Sequence, residues 1–179
     1  MLKTENALAL VIDMQEKLTP AMAEKEKLVR NICKLMKGMQ MLGIPLILTE
    51  QYPEGLGPTI PEISRLAGQV QPISKTSFSC LGSNKFRGEI KKLGRKQVIV
   101  CGIESHVCIY QTARDLVNSG HEVFIVTDAV SSRTLENKFT GLNLMSRGGA
   151  VLTSVEAVLF ELVETAENKN FKAISRIVK

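Results

Sequence analysis

The sequence predicts a single α/β domain spanning residues 1–179, a Rossmann-like three-layer sandwich with helices on both faces of a mostly parallel sheet of about six strands. Short runs that are apolar at every position alternate along the chain with segments of helical periodicity. A continuously apolar run is typical of a strand covered on both faces, as in a parallel sheet. The length of 179 residues matches one domain and is sufficient for a core without metal or disulfide support.

The first two strands and the helix between them are read from apolar spacing. Residues 7–13 form an apolar run that ends in the carboxylate of Asp13. Residues 24–42 carry apolar side chains at helical spacing, with Lys and Glu on the other side. Gly43 ends this helix, and residues 44–50 predict a second buried strand.

The next segment contains turn formers, a short strand and a basic helix. Residues 51–58 are rich in Gly and Pro and predict a long surface loop. A short strand is expected at 70–74, ending at Lys75. A basic helix follows from about residue 83 to 93 and closes at Gly94.

The second half of the chain repeats the alternation of strand and helix. Its predicted elements are strand 97–101, helix 105–118, strand 122–127, helix 135–145, strand 150–153 and a helix from residue 156. The last ten or so residues are polar with a weak apolar pattern, and we expect a peripheral tail that either packs on a neighbour or frays.

Composition excludes several classes of protein. No apolar run approaches the roughly 20 residues needed to cross a bilayer, so no membrane partner is expected. Aromatic residues are 4% of the chain and none interleaves with the basic cluster at 85–96, so no nucleic-acid partner is expected. Four sparse cysteines and two histidines indicate reduced thiols in a cytoplasmic protein, with neither a disulfide framework nor a zinc site.

Reactive side chains follow the predicted strands at their carboxyl ends: Asp13, Glu50, Lys75, Cys108 (after Gly102) and Asp128. Such side chains converge on one cleft in open parallel sheets. An Asp, a Lys and a Cys together would supply a base, a cation and a nucleophile. The alternative is a surface salt bridge between Asp13 and Lys75, with Cys108 as small core filler.

Cys108 differs from the other three cysteines in its setting, because it falls in the first turn of a helix that follows a strand. A helix N-terminus lowers the pKa of a thiol, and its free N–H groups can bind an oxyanion. His106 lies two residues away and does not face Cys108 on a helix. We therefore expect His106 to shape the cleft or to make a structural hydrogen bond.

Three segments resemble the isochorismatase-like cysteine hydrolases, which include nicotinamidases and N-carbamoylsarcosine amidohydrolase. They are Val11-Ile-Asp-Met-Gln15, Lys75 after the third strand, and the segment from Gly102 to Ala113 around Cys108. The resemblance implies that Cys108 is the nucleophile, Asp13 the general base and Lys75 the cation that supports the thiolate. It also implies a cis peptide between Ile103 and Glu104 and an oxyanion hole formed by the N–H groups of Glu104 and Cys108.

The resemblance implies a hydrolase of small amide-type or related acyl substrates that acts through a thioester and needs no cofactor. Glu50-Gln51-Tyr52 stands where nicotinamidases carry metal ligands, so no metal is expected. True isochorismatases lack the cysteine, so Cys108 argues against that activity. A nicotinamidase or isochorismatase proper, and a non-catalytic interaction module with the same fold, remain as alternatives.

The substrate is expected to be a small molecule, and its identity does not follow from spacing rules. The candidate pocket residues, in or beside the strand-end segments, are Gln15, Tyr52, Phe78 and His106. By analogy with the family, the chain is expected to form a homo-oligomer.

Overall fold

A computed structural model describes all residues 1–179, and a six-stranded, wholly parallel sheet runs through its centre. The strand order is β3-β2-β1-β4-β5-β6. The strands are β1 (Ala7–Ile12), β2 (Leu46–Gln51), β3 (Ile73–Lys75), β4 (Gln97–Ile103), β5 (Glu122–Ser131) and β6 (Val151–Thr153). The order reverses between β1 and β4, and this reversal is the position at which open α/β sheets form their ligand clefts.

Eight α-helices connect and cover these strands. They are α1 (Lys25–Met41), α2 (Pro53–Leu56), α3 (Pro61–Ala67), α4 (Asn84–Leu93), α5 (Tyr110–Asn118), α6 (Leu135–Arg147), α7 (Val155–Val163) and α8 (Phe171–Val178). A single π-helical turn, Ser105–Ile109, precedes α5, and two short 3-10 turns occupy Thr19–Ala21 and Cys80–Gly82. None of the helices is long and apolar enough to cross a membrane.

Two apolar clusters, one on each face of the sheet, form the core. Ala7, Ala9 and Val11 of β1 belong to the cluster that contains α1, α3, α7 and α8. Leu8 and Leu10 belong to the cluster that contains α4, α5 and α6. Alternate residues of one strand therefore serve opposite layers, and the predicted three-layer α/β sandwich is confirmed.

Helix ends follow local capping chemistry. Ser83 accepts a hydrogen bond from the backbone N–H of Phe86, and Gly94 ends α4 with φ of +64°. Thr134 and Ser154 cap α6 and α7 in the same way as Ser83. These caps explain why the predicted boundaries of α4, α6 and α7 lie within about two residues of the observed ones.

Two elements differ from the sequence-based expectation in the middle of the chain. Residues 59–69, for which the sequence predicted no element, contain α3 at Pro61–Ala67. Two turns of helix are too short for a periodic signal, and the Pro at its start is compatible with the first helical turn. Residues 53–56 of the predicted loop also form the short helix α2.

Strands β5 and β6 also differ from expectation. β5 extends to Ser131, so Asp128 lies inside the strand and not at its carboxyl end. The pairing of β4 with β5 shifts register between Val100 and Gly102, and this irregularity allows the longer strand. β6 was expected to be buried, but it is an edge strand whose Val151 is 51% exposed.

The C-terminal residues are ordered as a helix and do not form a frayed tail. α8 packs against α1 and α7, and Ile174 is fully buried. The rings of Phe160 and Phe171 lie 6.1 Å apart, which joins α7 to the start of α8. The weak apolar pattern at Phe171, Ile174 and Ile177 is therefore the packing face of a short amphipathic helix.

Candidate active site

Asp13 and Lys75 form an ion pair at the carboxyl edge of the sheet. Asp13 directly follows β1, Lys75 ends β3, and the Lys75 Nζ lies 2.7 Å from Oδ2 of Asp13. The two side chains are 1% and 0% exposed, respectively. The pair is therefore buried, and the alternative of a surface salt bridge is wrong.

Every oxygen and proton of this pair has a partner. Oδ1 of Asp13 accepts a hydrogen bond of 2.7 Å from the hydroxyl of Thr49 on β2. The Lys75 ammonium also donates to Oε1 of Gln51 at 2.7 Å, and to the carbonyl oxygens of Ser77 and Phe78 at 3.3 and 3.2 Å. Burial is the largest single influence and lowers the pKa of Lys75, but the charge and hydrogen bond of Asp13 together with the neighbouring thiols Cys80 and Cys108 outweigh it, so the pKa is raised and the ammonium stays charged.

Cys108 lies in the π-helical turn that joins β4 to α5 and is 7% exposed. The peptide bond between Ile103 and Glu104 at the start of this connection is cis. Gly102 has φ of +117°, and a Cβ at this position would lie 2.1 Å from the carbonyl oxygen of Ile12. Only glycine therefore lets β4 approach β1 closely enough to bring the turn beside Asp13.

The environment of Cys108 raises its pKa. Burial is the largest cause, the charge of Asp13 adds to it, the charge of Lys75 opposes it, and the pKa reaches about 12. The sequence-based expectation that a helix N-terminus lowers this pKa is wrong, because desolvation and a neighbouring carboxylate dominate. The thiol is consequently protonated near neutral pH and needs a base to become a nucleophile.

Hydrogen bonds from the end of β5 hold the turn around Cys108 in place. Ser105 donates its N–H to the hydroxyl of Ser132 and its own hydroxyl to the carbonyl of Ser131, both at 3.1 Å. Nδ1 of His106 lies 3.1 Å from the Ser132 hydroxyl. The sequence predicted that His106 either shapes the cleft or makes a structural hydrogen bond, and this contact is such a hydrogen bond. The backbone N–H of Glu104 has no hydrogen-bond partner in the chain.

The remaining pocket candidates are divided between buried and exposed positions. Gln15 is fully buried, and its side-chain amide bonds to the backbone of Gln51 and Gly57. It therefore braces the segment after β2 and does not present its amide to open space. Tyr52 and Phe78 are 54% and 53% exposed, in the segments that follow β2 and β3.

Asp128 and Glu50, two carboxylates expected at the same cleft, form hydrogen bonds with other parts of the chain. Oδ1 of Asp128 accepts a hydrogen bond from the N–H of Val155 at the start of α7, so this residue caps a helix. Glu50 accepts two hydrogen bonds of 2.7 Å from Thr59 and anchors the segment that leads to α3. Neither side chain is hydrogen-bonded to the Asp13–Lys75 pair.

Sequence reasoning missed four side chains that bond to the pair or support the residues next to it. They are Thr49, Gln51, Cys80 and Thr112. The buried Cys80 thiol lies 3.9 Å from the Thr49 hydroxyl, and Thr112 accepts the N–H of Cys80 at 3.0 Å. Thr49 and Gln51 are two residues apart at the end of a buried strand, and this alternation was the signal that could have identified them.

The described side chains contain no group of three or more His, Cys, Asp or Glu residues placed to share a metal ion. His106 is bonded to Ser132, and His121 lies just before β5 beside Ser119. The two histidines are thus on separate elements, at opposite ends of the sheet. All four cysteines are free thiols.

The fold and this edge of the sheet define an open α/β protein with a thiol next to a buried carboxylate–ammonium pair at the topological switch point. The family profile described as Isochorismatase domain matches residues 7–157. The chain belongs to this family of isochorismatase-like hydrolases, and the resemblance predicted from the sequence is confirmed.

Known proteins of this family match nearly the whole chain. Isochorismatase domain-containing protein 2 of Danio rerio is 42% identical over 178 residues, which is 99% of this chain and 89% of that protein. A solved Caenorhabditis elegans structure, described as MAR1 ribonuclease, is 34% identical with a TM-score of 0.93, covering 99% of this chain and 91% of that one.

Two solved bacterial relatives are more distant in sequence but equally close in fold. The Escherichia coli YcaC protein, described as an octameric hydrolase of unknown specificity, is 26% identical with a TM-score of 0.93, over 98% of this chain and 88% of that one. YcaC from Pseudomonas aeruginosa, solved with covalent acrylamide, is 26% identical with a TM-score of 0.91, over 97% of this chain and 89% of that one.

Proposed function

We propose that this chain is a cysteine-dependent hydrolase that cleaves the C–N bond of a small amide, or a related acyl substrate, through a thioester on Cys108. The observation that carries the proposal is the fully buried Asp13–Lys75 pair beside a thiol that is otherwise protonated. A thiol that is protonated needs a base within reach to become a nucleophile, and the buried carboxylate beside it can serve as that base.

The proposed reaction begins with proton transfer from the Cys108 thiol to Asp13. Sulfur then attacks the substrate carbonyl, and a new S–C bond forms as the oxygen becomes an oxyanion. The N–H groups of Glu104 and Cys108 are the proposed donors to this oxyanion, and the unpaired N–H of Glu104 supports that role. Collapse breaks the C–N bond, and the leaving amine takes the proton held by Asp13.

The second half of the reaction restores the enzyme. Asp13 removes a proton from water, the resulting hydroxide attacks the thioester, and the S–C bond breaks. The thiolate recovers its proton from Asp13, and the acid product leaves. Lys75 keeps its charge throughout and stabilises both the carboxylate and the transient thiolate, since its charge lowers the pKa of Cys108. Every proposed step uses groups of this chain and requires no cofactor.

The relatives lend support at two points. The Escherichia coli YcaC protein is described as a hydrolase of unknown specificity, and the Pseudomonas aeruginosa YcaC structure holds acrylamide in covalent form. Acrylamide is a small amide that reacts with nucleophilic side chains, thiols above all. A reactive nucleophile in this branch of the fold supports a catalytic role for Cys108 over the role of a non-catalytic module.

A substrate screen with matched cysteine variants tests the proposal. Small amides, carbamoyl compounds, esters, nicotinamide and isochorismate are offered to the full chain and to the Cys108→Ala and Cys33→Ser variants. The expected result is turnover of an amide or acyl compound that disappears in Cys108→Ala and persists in Cys33→Ser, with an acyl adduct on Cys108 by mass spectrometry. Full turnover by Cys108→Ala would sink the mechanism.

A substrate-independent arm separates the enzyme from the interaction module. Acrylamide labelling of each cysteine is followed near neutral pH in the Cys33→Ser background, because Cys33 is the one thiol that is not buried. Faster labelling of Cys108 than of Cys80 and Cys101 is expected of the enzyme. Equal inertness of all three thiols is the result expected of a module.

We further propose that the protein acts as a homo-oligomer in the cytoplasm. Five of the nine exposed large apolar side chains lie on α6 and β6, namely Leu135, Phe139, Leu144, Val151 and Leu152. The octameric state described for the Escherichia coli relative supports a second copy of this chain as their partner. The four free thiols support a reducing compartment.

A further inference from the structure

A second cleft lies away from the catalytic edge, between the outer face of α1 and the last turns of α8. Its volume is about 390 Å³, and it is lined by Arg30, Cys33, Lys34, Lys37, Arg176 and Ile177. Four of these six residues carry a positive charge and none carries a negative one. We name this site the basic cleft.

None of the four cations of the basic cleft forms an ion pair with a carboxylate side chain. Arg30, Lys34 and Lys37 follow the spacing i, i+4, i+7, which places them on one face of α1. They span on the order of 10 Å along the helix axis. Lys34 donates to the carbonyl of Val178 at 2.8 Å and so ties the end of α8 against α1. The cleft therefore concentrates positive charge that no carboxylate of the chain contacts at ion-pair distance.

A larger cleft of about 640 Å³ adjoins the basic cleft and shares Arg30 and Cys33 with it. Apolar groups contribute much of its lining: Pro20, Val29, Ile60 and Pro61. Carboxylates also line it, from Glu16, Glu26 and Glu62, with Lys25 as a further cation. We name this site the apolar cleft. The two clefts together combine an apolar wall, hydrogen-bond acceptors and a cationic end.

Thr19, a lining residue of the apolar cleft, carries a polar group that the chain leaves unsatisfied. This residue lines the cleft and is only 5% exposed. Its hydroxyl is the one buried side-chain polar atom in the chain without a hydrogen-bond partner. Buried polar groups are normally bonded to the protein or to ordered water, so this hydroxyl leaves a place beside the cleft for one hydrogen bond from outside the chain, from a water or from a ligand atom.

We propose that the two clefts together form a binding site for a nucleotide, that is, a nucleoside that carries two or more phosphates. The phosphates lie among Arg30, Lys37 and Arg176, because these cations form no ion pair within the chain. The base and sugar lie against the apolar wall, where carboxylates accept hydrogen bonds from ribose hydroxyl and amino groups. No residue of this site belongs to the proposed catalytic set, so the inference goes beyond the proposed hydrolase activity.

Calorimetry with the full chain tests this site at a fixed salt concentration near 150 mM. The probes are ADP, adenosine and inorganic pyrophosphate. We expect ADP to bind at least tenfold more tightly than either of the other two, because only ADP occupies both clefts. Equal affinities for ADP and pyrophosphate would remove the nucleoside half of the proposal, and the absence of saturable ADP binding would overturn all of it.

Charge-matched variants separate a specific site from general electrostatic attraction. Lys37→Ala with Arg176→Ala should weaken ADP binding at least tenfold and leave adenosine binding unchanged. Lys92→Ala with Arg147→Ala removes the same charges from exposed positions outside both clefts and should change ADP binding less than twofold. An equal loss in both double variants would overturn the proposal.

Cys33 provides a second readout, because it lines both clefts and is the one cysteine that is not buried. Saturating ADP should slow iodoacetamide labelling of Cys33 at least fivefold, and the Cys108→Ala variant should show the same protection. An unchanged labelling rate at saturating ADP would contradict the site. Protection by a short single-stranded RNA but not by ADP would assign the cleft to RNA and overturn the nucleotide proposal.

Discussion

Both oxygens of the Asp13 carboxylate are buried, and each has a donor: Thr49 on Oδ1 and Lys75 on Oδ2. Burying an isolated charge costs several kcal/mol, and an ion pair offsets this only when its remaining polar atoms are bonded too. Here Gln51 and two backbone carbonyls complete the shell of Lys75. The pair is therefore held in one geometry beside Cys108. A general base needs such a fixed position to accept the proton of the thiol.

Replacing Asp13 with Asn should separate the two effects of this carboxylate on Cys108. Turnover should fall by about 10²-fold or more, because no base remains to take the thiol proton. The pKa of the thiol should also fall, since the charge and hydrogen bonding of Asp13 both raise it. Iodoacetamide labelling of Cys108 against pH in a Cys33→Ser background measures this pKa. A thiol pKa in the variant that is equal to or higher than that of its parent would count against the assignment.

Replacing Lys75 with Met should leave the Asp13 carboxylate buried without its counter-ion. The free energy of unfolding should fall by about 3–5 kcal/mol, measured by urea denaturation at neutral pH. Adding Asp13→Asn should restore a large part of this loss, because the neutral pair contains no uncompensated charge. Lys85→Met, at an exposed position of α4, is the control and should cost less than about 0.5 kcal/mol. A loss of under about 1 kcal/mol for Lys75→Met would refute the buried ion pair.

Cys80, Cys101 and Cys108 are buried, and burial raises the pKa of each thiol above its ordinary value of 9.0. The unfolded chain ionises these thiols near pH 9, while the folded chain keeps them protonated. Their contribution to stability is thus fully present below pH 9 and is lost as the pH rises toward the folded values. Between pH 9 and 10.5, the free energy of unfolding should fall less steeply with rising pH in Cys101→Ala than in the parent, by about 1.4 kcal/mol per pH unit. Identical slopes in the parent and the variant would be inconsistent with this linkage.

At the scale of elements, the position of Cys108 depends on how three elements meet around one turn. β4 reaches β1 through Gly102, the end of β5 bonds to Ser105, and α6 lies directly over the turn. A Cβ on Gly141 of α6 would lie 2.5 Å from the carbonyl carbon and oxygen of Ser105. This close approach fixes the turn between a strand end and a helix, so the nucleophile does not sit on a free loop.

Gly141→Ala tests this packing, with Gly88→Ala as its matched control in another helix. The added methyl at 141 has no room and should cost about 1–3 kcal/mol of stability while lowering kcat/KM. A methyl at Gly88, in the middle of α4, meets no atom within 4 Å and should raise stability by about 0.5–1 kcal/mol with kcat/KM unchanged. Thermal unfolding and steady-state kinetics measure both. Parent-like values for Gly141→Ala would show that the contact is dispensable.

At the scale of the whole molecule, α6 and β6 together carry five of the nine exposed large apolar side chains. Phe139 on α6 is 56% exposed. Val151 is 51% exposed and lies on β6, an edge strand with no neighbour on its outer side. Exposed apolar patches and open sheet edges are typical of interfaces. This surface is the one on which the proposed oligomer depends.

Phe139→Glu should therefore shift the protein toward smaller species, because a charge replaces apolar contact area between copies. Light scattering coupled to size-exclusion chromatography measures the mass. Met41→Glu, which adds the same charge at a 40% exposed position at the end of α1, should leave the mass unchanged. A monomeric parent protein, or equal masses for the parent and both variants, would assign the α6 and β6 surface no role in assembly.

The backbone architecture could be predicted from the sequence because periodicity and caps are local signals. The apolar run at residues 7–13 indicates a strand that is buried on both faces. Ser83 and Gly94 indicate the ends of α4, Ser83 through its capping hydrogen bond and Gly94 through its preference for positive φ. The short helix α3 was not predicted, because two turns carry too little periodicity. Asp128 was misplaced because the register shift between β4 and β5 extends its strand.

The sequence by itself determined the family, the parallel sheet and the strand ends at which Asp13, Lys75 and Cys108 lie. Only the tertiary structure decided the electrostatics of that edge. Thr49 and Gln51 complete the ion pair from β2, and burial beside a carboxylate sets the direction of the Cys108 pKa. The physical reason is that the periodicity of apolar residues is a signal between neighbours in sequence, whereas a pKa depends on neighbours in space. A pKa depends on charges and burial within a few ångströms, and here these come from four different strands.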